Sequence, residues 1–274
     1  MVMRPEPPFA GVAGPLVIAH RGGSLEAPEN TVASIKHGVA AGADWQELDV
    51  SLSADGAVIV MHDDTVDRTT GGHGRIDGMT LAELRALSPG RPRWSEHGKE
   101  TLARFGIAPP SFGERFASER VPTLDDILGV PDGRLMIELK KSSRAAELVD
   151  KVMTAVHRAS AADRVAIASF ETELLDLAYR RDPSIPLVGI VEEEGAIDDK
   201  LLLPIRALAV NMDLVEAARE KAPPALGLWA WTAYSVPMAE AAFERGAHGV
   251  ITDVPEAVIQ AFRAAQPAVL HPSP

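Results

Sequence analysis

The chain has 274 residues, of which 46% are hydrophobic and 24% charged, and its 27 Lys+Arg stand against 39 Asp+Glu for a formal charge of −12. That balance excludes a disordered chain or a fibrous repeat, and the acidic surplus speaks against generic nucleic-acid binding, which calls for basic surface. Cysteine is absent, so a disulfide framework is excluded and any metal ligands must be His, Asp or Glu. A small anionic substrate stays compatible with an acidic molecule, because a pocket can be locally basic. Residues 1–15 carry one Arg, four Pro and no long apolar run, and nowhere do about 18 apolar residues follow one another. The expectation is a cytoplasmic protein with no transmembrane segment, its oligomeric state left open.

Short runs rich in Val, Ile and Leu alternate with longer amphipathic stretches, the pattern of repeated β-α units around a parallel sheet. The first predicted strand is Leu16–Ala19, ending at His20, and Asn30-Thr31 then caps a helix over Val32–Ala41 that stops at Gly42. A second strand, Trp45–Leu52, runs through an Asp55-Gly56 turn into a return strand over Ala57–Met61, a hairpin that brings His62 back toward the start of strand two. From Asp64 to Arg120 the periodicity weakens, with one helix predicted at Thr80–Leu87, so residues 64–120 read as an insertion or lid on the side of the site.

Alternation then resumes with strands at Leu135–Leu139, Val165–Ser169, Leu187–Val191, Ala207–Asn211, Gly227–Thr232 and Gly249–Thr252. Helices are predicted at Arg144–Ala159, Thr172–Arg180, Asp199–Ile205, Leu214–Lys221, Pro237–Arg245 and Pro255–Ala264. Leaving the return strand aside, this gives eight β-α units, and no dinucleotide-type glycine fingerprint follows the first strand. The fold class is therefore α/β: a (β/α)8 TIM barrel spanning 1–274 as one domain, with functional residues expected at the C-terminal ends of its strands.

Those ends carry groups that packing does not require. His20-Arg21 follow the first strand, Glu47 and Asp49 lie two apart in the second, and Glu138 and Lys140 close the third, while His62 arrives from the hairpin. Residues two apart share a strand face, so three carboxylates converge on one mouth. Their repulsion calls for protonation, pairing with Arg21 and Lys140, or a divalent cation, and all-oxygen ligation favours Mg²⁺, Ca²⁺ or Mn²⁺. Two imidazoles beside them divide naturally into proton donor and acceptor, and Arg21 with Lys140 suits the non-bridging oxygens of a phosphate. The other histidines read as structural or solvent-exposed, Trp229 as barrel core, and Phe170 as a mouth residue or, more commonly for Phe, a buried one.

The sequence resembles the glycerophosphodiester phosphodiesterases from about His20 to Ala264. The resemblance rests on His20-Arg21-Gly22, Pro28-Glu29-Asn30-Thr31, Gly42 to Val50, Ala54-Asp55-Gly56, His62-Asp63, Arg68-Thr69-Thr70, Pro122-Thr123-Leu124, Glu138-Leu139-Lys140, Trp231-Thr232 and Thr252-Asp253-Val254-Pro255. It implies a barrel with an insertion, His20 and His62 as the acid/base pair, and Glu47, Asp49 and Glu138 as ligands of one divalent cation, commonly Mg²⁺ or Ca²⁺. It further implies phosphate contacts from Arg21 and Lys140, an aromatic near the substrate at Trp231, and hydrolysis of a glycerophosphodiester to glycerol 3-phosphate and an alcohol. Ala233-Tyr234 and the stretch from Arg91 to Pro110 depart from the family pattern, which leaves the released alcohol open. The alternatives are a cyclising, phospholipase-like enzyme acting on lysophospholipids, and a non-catalytic barrel that binds a phosphorylated ligand.

Overall fold

The structure is a computed structural model that describes residues 15–90 and 96–265. Its strands are β1 (Leu16–Ala19), β2 (Trp45–Leu52), β3 (Val58–Val60), β4 (Leu135–Leu139), β5 (Val165–Ser169), β6 (Leu187–Val191), β7 (Ala207–Asn211), β8 (Gly227–Ala233) and β9 (Gly249–Thr252). They form one sheet in the order β1-β9-β8-β7-β6-β5-β4-β2-β3, and β1 also pairs with β2. That parallel pairing, Ile18 beside Trp45, closes β1, β2 and β4 to β9 into an eight-stranded barrel. β3 is the antiparallel return of the hairpin, with Val60 beside Val50. The closed parallel barrel is the fold class expected from the alternating pattern.

Side chains alternate between two layers because a strand has a period of two. Met136 and Ile18 point inward, and Leu135, Ile137 and Val17 outward. Inside, the buried indoles of Trp45 and Trp229 fill the bore, and Ala166, Ala168, Ala207 and Ala209 make the room they need. Gly249 belongs to the same fit, since a Cβ there would lie 2.7 Å from Cδ1 of Trp229.

Outside the strands lie α1 (Val32–Ala41), α2 (Asp67–Thr70), α3 (Leu81–Arg85), α4 (Glu96–Arg104), α5 (Leu124–Leu128), α6 (Ala145–Arg158), α7 (Thr172–Arg181), α8 (Ile197–Leu201), α9 (Val215–Lys221), α10 (Val236–Glu244) and α11 (Pro255–Ala265). Several bounds differ from the sequence reading. The helix expected at Asp199–Ile205 is α8, shifted toward the N-terminus, which places Asp198 and Asp199 in the first turn, where a carboxylate meets the positive end of the helix dipole. The return strand is three residues long rather than five. α5, which periodicity did not reveal in so short a segment, is announced by its cap: Thr123 Oγ1 accepts from the backbone N–H of Asp126, and the Asp126 carboxylate accepts from that of Thr123. Within residues 64–120, α2, α3 and α4 replace the single expected helix. Ile59 and Met61 of the hairpin bury Val66, Ile76, Leu84 and Val121 in a small core of their own.

At the end of β1 the chain makes a sharp turn in which Arg21, Gly22 and Gly23 have φ of 53°, 81° and 102°. The left-handed turn is what puts both His20 and Arg21 over the barrel mouth. A Cβ on Gly22 would lie 2.5 Å from the Ser34 carbonyl carbon and 2.7 Å from the Ile35 nitrogen, both backbone atoms of α1. A Gly22→Ala variant therefore adds backbone strain to a clash that no side chain can relieve, and should lose more than about 2 kcal/mol in urea unfolding. Unchanged stability would mean that α1 moves freely relative to the turn.

Candidate active site

Glu47, Asp49 and Glu138 meet at the C-terminal mouth. β2 and β4 run side by side with Asp49 in register with Glu138, so three carboxylates from two strands offer oxygens within 4.8 Å of one another. They are 2%, 1% and 7% exposed. Burial and the facing carboxylates push Glu47 well above the usual carboxylate range, and Glu138 is raised for the same reasons. Burial also opposes ionisation of Asp49, but Lys140, then His62 and Arg21, hold it below that range. Oε1 of Glu47 is buried without a hydrogen-bond partner, an acceptor that a cation would satisfy.

The cations expected to contact phosphate reach into the same cluster. Lys140 Nζ donates to Glu138 Oε1 at 2.7 Å and to Asp49 Oδ1 at 3.3 Å. The Arg21 backbone N–H donates to Glu47 Oε2 at 2.9 Å, and its Nε lies 3.5 Å from Asp49 Oδ2.

Both imidazoles are oriented by a carboxylate. His20 Nδ1 lies 2.5 Å from Asp253 Oδ1, and His62 Nδ1 lies 2.8 Å from Asp63 Oδ1. An ionised carboxylate only accepts, so each Nδ1 is the donor and each Nε2 is left for the site. His20 Nε2 is 3.9 Å from Glu47 Oε2. Burial, then Arg21, lowers His62 below the ordinary histidine value, and the Asp49 charge and the Asp63 contact only partly offset this.

Several of these partners carry roles that sequence reasoning did not assign. Asp253 follows β9, and its position at a strand's C-terminal end was the available signal. Asn30 was expected to help cap α1. Thr31 alone makes that cap, and Asn30 instead donates from Nδ2 to Asp49 Oδ2 at 2.8 Å while its Oδ1 accepts from the Asp49 backbone. Glu29 joins two guanidinium groups, accepting from Arg21 at 2.9 Å and from Arg68 at 2.5 and 2.9 Å, while Arg68 also grips Asp63. Periodicity cannot show such a chain of pairs, because its members come from segments far apart in the sequence.

Trp229 is fully buried in the bore, as expected. Trp231, farther along β8, is half-buried, and its ring meets Phe170 edge-on at 5.6 Å. Phe170 is 37% exposed, which corrects the commoner expectation of a buried ring. Lys200, 2% exposed, fixes that loop by donating from Nζ to the Phe170 carbonyl at 2.5 Å.

A second group of possible ligands, Glu26, His37 and Glu256, has another explanation. Glu26 accepts from the backbone N–H groups of Glu256 and Ala257 and so caps α11, while His37 Nε2 holds the same carboxylate at 2.8 Å. His73 and His157 pair with Asp67 and Asp182, and His248 Nδ1 accepts from the Leu228 backbone. His271 and the side chain of His97 lie outside the described residues, as do residues 91–95 of the divergent stretch.

The Glu29 contacts give a pH signature. Burial opposes its ionisation, yet Arg21 and Arg68 hold it down to about 2 from a normal 4.5. A depressed carboxylate stabilises the fold fully above its unfolded value, and that stability is lost as the pH falls through the window from about 4.5 to about 2. Urea unfolding of Glu29→Gln should show a loss of about 3 kcal/mol at pH 7 that shrinks steadily below pH 4.5. A loss independent of pH would assign the effect to packing.

The sequence profile of the glycerophosphoryl diester phosphodiesterase family matches residues 20–257. A glycerophosphodiester phosphodiesterase of Caldanaerobacter subterraneus subsp. tengcongensis is 32% identical over 260 residues, covering 90% of this chain and 98% of that protein. The solved structure of an Oleispira antarctica phosphodiesterase in complex with the product sn-glycerol-3-phosphate superposes with a TM-score of 0.76 at 28% identity, covering 91% of this chain and 97% of that one. A putative glycerophosphoryl diester phosphodiesterase from Silicibacter pomeroyi shares the fold with a TM-score of 0.76 at 24% identity, covering 92% and 95%. With its profile matched over most of its length and a relative aligned nearly end to end, this chain belongs to the glycerophosphoryl diester phosphodiesterase family.

Proposed function

We propose that the protein hydrolyses glycerophosphodiesters to glycerol 3-phosphate and an alcohol, by acid/base catalysis at His20 and His62 beside a divalent cation. The observation that carries this reading is the buried triad of Glu47, Asp49 and Glu138, whose oxygens converge within 4.8 Å. The donor set fits a hard divalent ion: it is all oxygen, it includes an orphaned Glu47 Oε1, and two of its members resist ionisation when no added positive charge faces them. Mg²⁺ or Ca²⁺ suits these ligands, and Mn²⁺ is compatible. Bound there, such an ion would supply Lewis-acid stabilisation of charge on the phosphoryl oxygens.

The chain's own residues do the rest. Arg21 and Lys140 orient the phosphate through its non-bridging oxygens, at the cost of loosening their present carboxylate contacts. Asp253 and Asp63 hold the two imidazoles so that each Nε2 faces the reacting phosphate. One imidazole takes the proton of the attacking oxygen and the other returns a proton to the leaving alkoxide, so that the ester P–O bond breaks as the new one forms. Trp231 lines the substrate side of the mouth, and the described parts of residues 64–120 belong to an insertion on the side of the site within a single barrel domain. Among the described residues no helix is long and apolar enough to cross a membrane.

Purified protein treated with EDTA should lose glycerol 3-phosphate release from glycerophosphodiesters by more than about a hundredfold and regain it with Mg²⁺, Ca²⁺ or Mn²⁺. Activity indifferent to EDTA would return the three carboxylates to an ion-pair network with Arg21 and Lys140. His20→Ala and His62→Ala should each lower kcat by roughly 10² to 10⁴ with intact folding by circular dichroism. Turnover unaffected by either change would remove that histidine from catalysis. A cyclic phosphate persisting in ³¹P NMR would favour the cyclising alternative.

A further inference from the structure

β1 and β9 lie side by side in the barrel, and the segments that leave them hold each other twice. The first, residues 20–27, carries His20 at its start and Glu26 near its end. The second, residues 253–257, carries Asp253 and then the first turn of α11. The Asp253 carboxylate takes His20 Nδ1 at 2.5 Å, so the second segment grips the first. The Glu26 carboxylate accepts from the backbone N–H groups of Glu256 at 3.0 Å and Ala257 at 3.1 Å, so the first grips the second. Between the two contacts, the backbone N–H of Leu25 donates to the Asp253 carbonyl at 3.1 Å.

This clasp is built to transmit a displacement. The turn from His20 to Ala27 is closed on itself: Gly23 N–H donates to the His20 carbonyl at 2.8 Å, and the N–H groups of Glu26 and Ala27 both donate to the Gly23 carbonyl at 2.9 Å. Gly23 also packs on the first residue of α11, where a Cβ would lie 2.9 Å from Pro255 Cγ. Toward β8, Asp253 is anchored by its own backbone N–H on the Ala233 carbonyl at 3.0 Å. Toward β1, it is anchored by the Leu25 contact and by the cap on α11. A shift of Glu26 against α11 therefore changes the distance between Asp253 and His20.

His37 makes Glu26 more than an ordinary helix cap. From α1, its Nε2 donates to Glu26 Oε2 at 2.8 Å, the same oxygen that takes the Glu256 N–H, and it lies 3.9 Å from the Glu256 carboxylate. The hydrogen bond to Glu26 raises the His37 imidazole while burial opposes this. The carboxylate is thus held both by an imidazole that favours its charged form and by the positive end of the α11 dipole. One side chain ties together α1, the turn that carries His20, and the helix that follows Asp253.

We propose that Glu26, held by His37, is a positioning residue for catalysis: by capping α11 it sets Asp253 in place and so aims His20 Nε2 at the reacting phosphate. The inference rests on the phosphodiesterase reading and deepens it by adding two residues that touch neither substrate nor cation. Its chemical basis is that a proton-transfer group misplaced by about 1 Å can cost about a hundredfold in rate, and that partners of a ligating or catalytic histidine are themselves worth about 10-fold or more.

The test measures glycerol 3-phosphate release from the choline, ethanolamine and glycerol esters of glycerol 3-phosphate, using whichever the wild type cleaves fastest. Glu26→Ala should lower kcat about tenfold, with KM changed less than about twofold and Mn²⁺ binding retained. In an Asp253→Ala background the same change should lower kcat by less than about twofold, because the residue through which Glu26 acts is gone. His37→Ala, which leaves both backbone contacts of the cap in place, should lower kcat about threefold, and His37→Gln, whose amide can still donate to Glu26, should restore it. Thr80→Ala removes the cap of α3 in the insertion and should keep kcat. An unchanged kcat in Glu26→Ala, a loss confined to KM, a loss of Mn²⁺ binding, an undiminished effect in the Asp253→Ala background, or an equal loss in Thr80→Ala would each overturn the proposal and make the cap structural. Should Glu26→Ala fail to fold, an unchanged kcat in His37→Ala would overturn it. Release from none of the three esters by the wild type would instead count against the phosphodiesterase reading, so the two failures are distinct.

Discussion

The structure turns on three buried carboxylates that cannot all be ionised beside one another without added positive charge. β2 supplies Glu47 and Asp49 because residues two apart share a face, and β4 supplies Glu138 because its register sets that residue beside Asp49. Each flanking interaction answers the same electrostatic demand. Arg21 and Lys140 lean into the cluster, Asn30 donates to Asp49, and Glu29 in turn binds Arg21 and Arg68. Removing one partner from such a network leaves a buried charge uncompensated, the most costly kind of substitution.

This constraint also explains why the loops are shaped as they are. The left-handed turn after β1 aims the Arg21 backbone N–H at Glu47, and the same turn presents His20 to Asp253 across the mouth. The hairpin after β2 returns His62 to the rim, where Asp63 and Arg68 hold it in place. Barrel interior and catalytic mouth are thus coupled: the strand register that packs Trp45 and Trp229 against alanines is also the register that aligns the carboxylates.

Much of this was legible in the sequence. The eight strands stood out as apolar runs between amphipathic helices, and Glu47, Asp49, Glu138, His20 and His62 stood out as polar groups at strand ends that the core does not need. The local capping box of α5, Thr123 with Asp126, is the one sequence sign of a helix too short to show a period. Partners such as Asp253 for His20, and Glu29 for Arg68, are contacts between residues 233 and 39 positions apart, and no periodicity encodes them. The hold of Glu26 on the start of α11 belongs to the same class, across 230 positions.

The central claim is that the triad is a divalent-cation site, and direct binding of Mn²⁺ to metal-stripped protein, followed by electron paramagnetic resonance, tests it without reference to turnover. The account predicts saturable binding that is lost in Asp49→Asn and in Glu47→Gln, and kept in Glu26→Gln. Binding that survives both changes at the triad, or that vanishes on altering Glu26 alone, would contradict it and move the ion to the α11 cap.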